Sequence, residues 1–263
     1  MNEDRLKQSS NIQQFLKMLK VLTFSELKAR YRQTFAGLIW VIVNPIAVFI
    51  AHAVVFKIIL KIDVNNYFIF LLSGILPWIF ITSTLSMGIN VFVQRGDLLK
   101  SFKINPFILL WSKVLDNFIN FIIAFTLLLI GLSFLGEVSL SGIVFLPVSI
   151  LILIVGTYSL LFVLSIAQVF YRDVIFVNQF ILSLVYLLTP IFYPESFIPE
   201  DLRWVLIVNP FYSFIRPFQI CFWEFNLTLF INSLTQPMIF ILGFNCFGYF
   251  QWRKKANEFY LRI

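Results

Sequence analysis

The sequence offers few side chains that could perform covalent or metal chemistry. His52 is the only histidine; with no carboxylate at helical spacing it is better explained as a packing residue than as a ligand or base. Cys221 and Cys246 lack metal or redox spacing. The 263 residues contain no phosphate-binding loop, zinc-protease motif or nucleophile elbow. We therefore expect no catalytic, cofactor-binding or metal-binding residue in this chain.

Polar side chains cluster at two places. Asp116, Asn117 and Asn120 follow Lys113 by three, four and seven residues, which puts the four side chains on one face of a helix. A local pair between Lys113 and Asp116 would lower the cost of burying either charge. Polar residues at positions 83, 86 and 90 form a second stripe, which either packs against another helix or lines a pore. No chain of carboxylates lies deeper, which argues against a proton relay.

The chain contains six long, continuous apolar stretches, and 60% of its residues are apolar while 13% are charged. Each stretch has roughly the 17–25 residues, or more, that a helix needs to cross about 30 Å of hydrocarbon. Helices and closed barrels are the structures that satisfy every backbone hydrogen bond in lipid, and continuous apolar runs favour helices. We predict an all-α integral membrane protein whose domain of six transmembrane helices occupies residues 38–250, with the stretches Leu38–Phe56, Tyr67–Val93, Phe118–Leu135, Ile143–Phe170, Val174–Tyr193 and Leu227–Phe250.

The charges alternate between the gaps. Fifteen of the twenty Lys and Arg residues lie before the first stretch, between the second and third, between the fourth and fifth, or after the sixth. Because basic loops stay inside, both termini are predicted to be cytoplasmic, residues 1–37 as one segment and residues 251–263 as a tail. Anionic lipid and topology account for the net charge of +7, so no nucleic-acid partner is implied.

Three shorter segments are predicted to carry function. Residues 12–31 form a basic amphipathic helix, as a membrane-surface anchor, a docking surface for a cytoplasmic partner, or both. In the loop 94–106, Asp97 caps a short helix with Leu98, Leu99 and Phe102 on one side; the alternative is a basic loop obeying topology. Residues 194–226 contain two short aromatic helices that meet at Asn209-Pro210, either an interfacial aromatic belt or a hinged cap that stacks on sugar rings.

Four motifs occur together between residues 26 and 210: ELKARYRQTFAGLIWVIVNP at 26–45, SGILPW at 73–78, YRD at 171–173 and TPIFYPESFIPEDLRWVLIVNP at 189–210. With these motifs the chain resembles the bacterial ABC-transporter permeases that export polysaccharides such as O-antigen, capsule and teichoic acid. The resemblance implies the homodimeric transmembrane subunit of an exporter in the bacterial cytoplasmic (inner) membrane. Two copies of a cytoplasmic ATPase would bind ATP and Mg, and the substrate would be a lipid-linked polysaccharide.

By position, the resemblance also assigns roles to particular residues. The expected contacts with the ATPase are Glu26, Arg30, Arg32, Arg95, Gly96, Asp97, Leu98, Leu99, Lys100, Phe102, Arg172 and Asp173. The two short helices within 194–226 would form an extracytoplasmic gate, whose gate and channel aromatics are Trp78, Trp204, Phe211, Tyr212, Phe214 and Phe218.

Two other function classes compete with an ATP-driven exporter. A secondary carrier or flippase would need no ATPase, but carriers usually show inverted repeats and charges within the membrane, and neither is evident here. A membrane-bound glycosyl- or acyltransferase would need His, Asp or Glu at the membrane surface, which the single histidine disfavours. Retention of an ATP-hydrolysing subunit on purification separates the exporter from both.

Overall fold

A computed structural model describes residues 2–31, 39–102, 104–134, 141–223 and 225–263, and this part of the chain is helical with no strand. Short 3₁₀ turns at Ile143–Phe145, Glu195–Phe197 and Glu200–Leu202 and a π-helical extension at Val54–Ile59 accompany the α-helices. The α-helices are α1 (Asn2–Tyr31), α2 (Ile39–Ala53), α3 (Tyr67–Gly88), α4 (Val91–Gln94), α5 (Gly96–Phe102), α6 (Pro106–Ser133), α7 (Leu146–Phe170), α8 (Val174–Leu188), α9 (Trp204–Val208), α10 (Pro210–Phe222), α11 (Leu227–Ser233) and α12 (Thr235–Arg262).

Five helical segments within the described ranges are long and apolar enough to cross a membrane, which confirms the predicted all-α membrane architecture. They are Ile42–Ile59, Tyr67–Gly88, Pro106–Ser133, Ile143–Phe170 and Leu227–Arg262. The fifth predicted stretch is helical only to Leu188, because Thr189-Pro190 ends it. With 15 residues α8 is about 22 Å long, and it nevertheless connects the two ends of the bundle described next.

Contacts between distant segments define one end of the bundle, which we call the basic end. Arg95 binds Glu26, Lys100 binds the Ile263 carbonyl, and Arg172 binds the Arg262 carbonyl. The basic segments that the sequence assigns to one side of the membrane therefore do meet in space. At the opposite end, the Trp223 indole donates to the Asn65 carbonyl at 2.8 Å.

The core is centred on α3, which packs against α6, α7 and α10. Close approach depends on small residues: a methyl group at Gly156 would lie 2.7 Å from the Phe214 ring, and one at Gly88 would lie 2.8 Å from Leu161. In contrast, α8 and α12 turn many apolar side chains outward, Phe180 and Ile239 among them. Such faces suit contact with lipid or another apolar surface, because lipid tails are as apolar as the side chains.

The helix α6 begins twelve residues before the predicted apolar stretch Phe118–Leu135. Pro106 takes the first helical position, where its missing N–H costs nothing, and the Asn105 side chain caps the helix by accepting from the Phe107 N–H at 3.0 Å. The polar first turns of α6 are helical because their charges find partners on α1, as described below.

Candidate functional site

An ion network at the basic end joins three segments of the chain. The Glu26 carboxylate on α1 accepts from Lys113 of α6 at 2.6 Å and from Arg95, between α4 and α5, at 3.0 Å. One turn further along α1, Arg30 binds Asp116 of α6 and lies 3.4 Å from the Asn117 amide oxygen. Together these contacts fix α1 against α6 and place Arg95, which precedes α5, beside both helices.

The electrostatics of Glu26 favour its charged form. Burial raises the pKa of Glu26, but the hydrogen bond and charge of Lys113, with the charge of Arg95, outweigh burial and hold the pKa below its usual value. Because the pKa is lowered on folding, the stabilisation from this carboxylate is present at neutral pH. It is lost only as the pH falls through the lowered pKa.

The predicted local pairing of Lys113 with Asp116 is wrong. Each residue instead has its own partner on α1, since that helix lies along the polar face of α6 and offers opposite charges at matching spacing. The Asp116 side chain is 1% exposed, and its Oδ1 atom has no hydrogen-bond partner among the described residues. The burial of Asp116 therefore depends on Arg30, which is one of the residues expected to contact the ATPase.

The short helix predicted in the loop 94–106 is present as α5. Asp97 lies in its first turn rather than at the cap, where a carboxylate still favours the positive end of the helix. Leu98, Leu99 and Phe102 share one side of this helix by their spacing of three and four residues. They differ in burial: Leu99 is buried and Leu98 half-buried, but Phe102 is 72% exposed. The exposed ring is available to a partner at the basic end.

The predicted third contact, Arg172-Asp173, lies in the turn between α7 and α8. Gln168 fixes this turn by donating to the Arg172 carbonyl at 3.0 Å and accepting from the Ile175 N–H at 2.9 Å. Through Arg172 the turn reaches the end of α12. Arg32 lies outside the described residues.

Two cavities follow the polar stripe of α3. One of about 420 Å³ is lined by Ser83 together with Arg30, Asn44 and Asn117. A second cavity, of about 360 Å³, is lined by Ser86 and Asn90 together with Glu26 and Lys113 of the ion network. Residues of this stripe therefore border cavities next to α1.

At the opposite end the chain forms a re-entrant hairpin, residues Glu200–Phe222, whose two helical halves meet at 98°. The helix α8 carries the chain from the basic end to this end, and Trp223, directly after the hairpin, lies beside Asn65, so the hairpin begins and finishes at the same end of the bundle. Gln236, at the start of α12, binds the Leu206 carbonyl at 2.7 Å, close to the corner. Asn209 holds the corner. Its side-chain oxygen accepts from the Phe211 and Tyr212 N–H groups, and its amide donates to the Thr189 hydroxyl at 2.9 Å.

An ion pair braces the same hairpin. Arg216 of α10 binds Glu195 at 2.5 Å, in the segment that follows α8. Both side chains are half-buried, and most other residues of α10 are apolar or aromatic. The ion pair therefore links α10, the inner arm of the hairpin, to the segment between α8 and the hairpin.

Five of the six predicted gate and channel aromatics are buried within the single chain: Trp78, Phe211, Tyr212, Phe214 and Phe218. Trp78 and Phe211 pack with ring centres 5.6 Å apart, and the Phe214 ring fills the space left by Gly156. Trp204 is 59% exposed. In this arrangement the buried rings pack the hairpin against α3 and α7, and Trp204 is the one of the six that presents its ring to the surroundings.

The single histidine is a packing residue, as its sequence context indicates. The Nδ1–H of His52 donates to the Val48 carbonyl at 2.7 Å, so Nε2 accepts from the Tyr186 hydroxyl at 2.5 Å. The histidine thereby joins α2 to α8.

Comparison with known proteins places this architecture. The model of the ABC-2 type transporter family matches residues 17–223, from α1 to the end of the re-entrant hairpin. The chain belongs to the ABC-2 type transporter family. It is a multi-pass membrane protein and a subunit of a transporter.

Three similar proteins are all named as O-antigen export permeases. The chain is 30% identical over 217 residues to the O-antigen export system permease protein RfbA of Myxococcus xanthus, covering 81% of this chain and 83% of the relative. Two proteins of that name from Klebsiella pneumoniae are 23% and 24% identical over 252 and 251 residues, covering 94% and 93% of this chain and 97% of each relative.

The sequence did not reveal two parts of the site. Lys113 and Asp116 stood out as a polar face, but the match between their spacing and that of Glu26 and Arg30, three against four residues, does not by itself show that the helices meet. The end of α12 gave no signal beyond its positive charge, yet it contacts both α5 and the turn at Arg172.

Proposed function

We propose that this chain is the transmembrane subunit of an ATP-driven exporter that moves a lipid-linked polysaccharide across the bacterial cytoplasmic membrane. Two copies form the conduit, and two copies of a separate cytoplasmic ATPase bind ATP and Mg and supply the energy. The observation that carries the proposal is the ion network of Glu26, Arg95 and Lys113, because it gathers the segments expected to meet an ATPase at one end of the bundle.

The need for a separate ATPase follows from the chain's chemistry and family. Its 263 residues contain no phosphate-binding loop, and ABC transporters are driven by ATP. Exposed Phe102 and the charged residues around it offer the apolar centre and polar rim typical of a protein interface. The positive-inside rule supports a cytoplasmic location for this end.

The substrate class rests on the relatives. Their printed names describe O-antigen export, and they align along most of this chain. A polysaccharide on a lipid carrier needs a pathway that accepts a polar chain while the lipid stays in the bilayer. The cavities beside the polar stripe of α3 and the outward apolar faces of α8 and α12 supply both kinds of surface.

The mechanism follows from the connections. The ATPase displaces α5 and α1 as it closes on ATP, and the pairs of Glu26 with Lys113 and Arg30 with Asp116 transmit the displacement to α6. Because α6 and α10 both pack on α3, the movement reaches the re-entrant hairpin at the opposite end. The hairpin opens the outer exit by pivoting at Asn209, while the buried aromatics keep its inner arm attached to the bundle.

The test of the motor interface uses two exposed phenylalanines. Phe102→Asp should abolish retention of the ATPase during mild purification, because it puts a charge at the centre of the interface. Phe134→Asp is the matched control: that ring is 86% exposed at the other end of α6, so the ATPase should remain bound. If the purified native chain never retains an ATP-hydrolysing subunit, it is a secondary carrier or flippase instead.

The substrate is tested by deletion. Cells lacking this chain should accumulate a lipid-linked polysaccharide on the cytoplasmic side of the membrane, measured by extracting carrier lipids and analysing the sugars attached to them. Unchanged carrier lipids together with normal surface polysaccharide would overturn the substrate assignment and leave the motor interface standing.

A further inference from the structure

The end of α12 lies against several segments at the basic end of the bundle. We call residues Trp252–Ile263 the tail strap. Phe259 has no exposed surface, and its ring centre lies 5.1 Å from that of Phe92 in α4 and 4.9 Å from that of Trp252. Trp252 in turn lies 5.1 Å from Phe107 at the start of α6. Aromatic pairs at these separations are attractive beyond their burial, so the strap is anchored between α4 and α6.

The strap holds α5 in place. The Ile263 carbonyl accepts a hydrogen bond from the Lys100 ammonium at 2.5 Å. Gly96 makes room for this contact, because a methyl group there would lie 3.0 Å from the Ile263 carbonyl carbon. A helix of seven residues is not stable by itself, so α5 depends on tertiary contacts of this kind.

The strap also holds the turn between α7 and α8. The Arg172 guanidinium donates to the Arg262 carbonyl at 3.1 Å. The Lys255 ammonium lies 4.3 Å from the centre of the Phe170 ring and 5.2 Å from that of Tyr171, within the range of cation–π attraction. The Lys255 ammonium therefore contacts both the last residue of α7 and the first residue of the turn.

We infer that the tail strap is a positioning element that ties α5 and the Tyr171–Asp173 turn into one rigid body. The inference rests on the proposed function, in which both segments contact the ATPase. A displacement imposed on one contact then reaches the other through the strap, and the two ends of the motor interface move together. Loss of the strap leaves each contact free to move alone, so ATP is hydrolysed with less export.

A disulfide tests whether the contact persists through the cycle. A Cβ at position 96 would lie 3.5 Å from the Ile263 Cβ, at the short end of the range that a disulfide spans. In a chain with Cys221 and Cys246 changed to alanine, Gly96→Cys with Ile263→Cys should cross-link nearly completely under mild oxidation. Export per ATP by the cross-linked complex should stay within about twofold of the reduced form. Export blocked until a reductant is added would overturn the inference.

Release of the strap is tested with a buried reporter. Leu99→Cys places a thiol on the inner side of α5, where a maleimide reaches it only when α5 opens. Phe259→Ala should raise the labelling rate at least tenfold, and Phe259→Leu should give an intermediate increase if the alanine variant fails to assemble. Leu261→Ala is the control, since that side chain is 83% exposed, and it should change nothing. Equal labelling in all variants would show that the strap does not hold α5.

The two proposals fail separately. Maleimide labelling of Leu99→Cys is measured on membranes that contain this chain alone, so equal labelling in all variants counts against the strap and not against the exporter. Absence of an ATPase from the native complex would remove the proposed function while leaving the cross-link and the labelling pattern intact. In the full complex, Phe259→Leu should lower export per ATP several-fold without lowering the amount of ATPase retained.

Discussion

At the level of single residues, the basic end depends on charges that would be costly without their partners. The Asp116 carboxylate is almost inaccessible, and the charged group bound to it is the Arg30 guanidinium. A buried pair of this kind contributes little net stability compared with an apolar pair, but removing one partner leaves an uncompensated charge. The pair therefore specifies how α1 docks more than it strengthens the fold.

Replacing Arg30 with methionine should destabilise the protein by about 3–5 kcal/mol, because Asp116 stays buried without its partner. The measurement is the loss of monodisperse protein on heating in detergent. Lys28→Met, on the exposed side of the same helix, should have almost no effect.

Asp116→Asn completes a double-mutant cycle with Arg30→Met. If the pair acts as a unit, the double variant Arg30→Met with Asp116→Asn should be more stable than the sum of the single changes predicts, by about 0.5–3 kcal/mol. Strict additivity would mean that the two side chains do not depend on each other.

At the level of elements, the re-entrant hairpin is held at its corner by one side chain. Asn209 caps α10 and is tied to Thr189 at the end of α8. Asn226 is an exposed cap of the same chemistry for α11, and among the described residues its side chain makes no hydrogen bond to another helix. The two asparagines allow the capping effect to be separated from the tether.

Asn209→Ala should cost about 1–2 kcal/mol through the lost cap, with a further loss from the unpaired Thr189 hydroxyl. It should also slow export, because the pivot of the hairpin is no longer fixed. Asn226→Ala should show at most the capping cost in the same heating assay and leave export unchanged. Similar export by both variants would indicate that the corner is not a pivot.

Packing between α7 and the hairpin gives a second prediction at this scale. Gly156→Ala should destabilise the protein by about 1–3 kcal/mol, since the new methyl group meets the Phe214 ring. Gly131→Ala in α6 meets nothing within 4 Å and should be neutral or stabilising by up to about 1 kcal/mol, as expected for removing a glycine from a helix. Equal thermal stability of the two variants would contradict the packing seen here.

At the level of the whole molecule, the contacts divide the chain into two ends, and the charges predict which end is inside. Leu202 and Lys254 are both exposed, the first at the start of the re-entrant hairpin and the second in the tail strap.

With Cys221 and Cys246 changed to alanine, Leu202→Cys should react with a membrane-impermeant maleimide in intact cells whose outer layers are permeable to the reagent. Lys254→Cys should react only after the cytoplasmic membrane is opened. Labelling of Lys254→Cys in intact cells would reverse the topology and remove the motor interface from the basic end.

The sequence by itself determined which segments lie in lipid and which lie in water. Long apolar runs must be helices in lipid, the basic gaps indicate a common side, and Pro199 and Asn209-Pro210 predict two short helices that do not cross. The motifs at 26–45 and 189–210 also carried the family. These properties are local or additive along the chain, so composition and spacing suffice to predict them.

The tertiary structure alone decided which polar groups meet. Lys113 binds Glu26, 87 residues away, and Lys100 binds Ile263 across 163 residues, because helix packing brings those positions together. It also decided that five aromatics of the expected gate are buried. An aromatic side chain suits lipid, a channel or a protein core equally well, and only its neighbours in space select among the three.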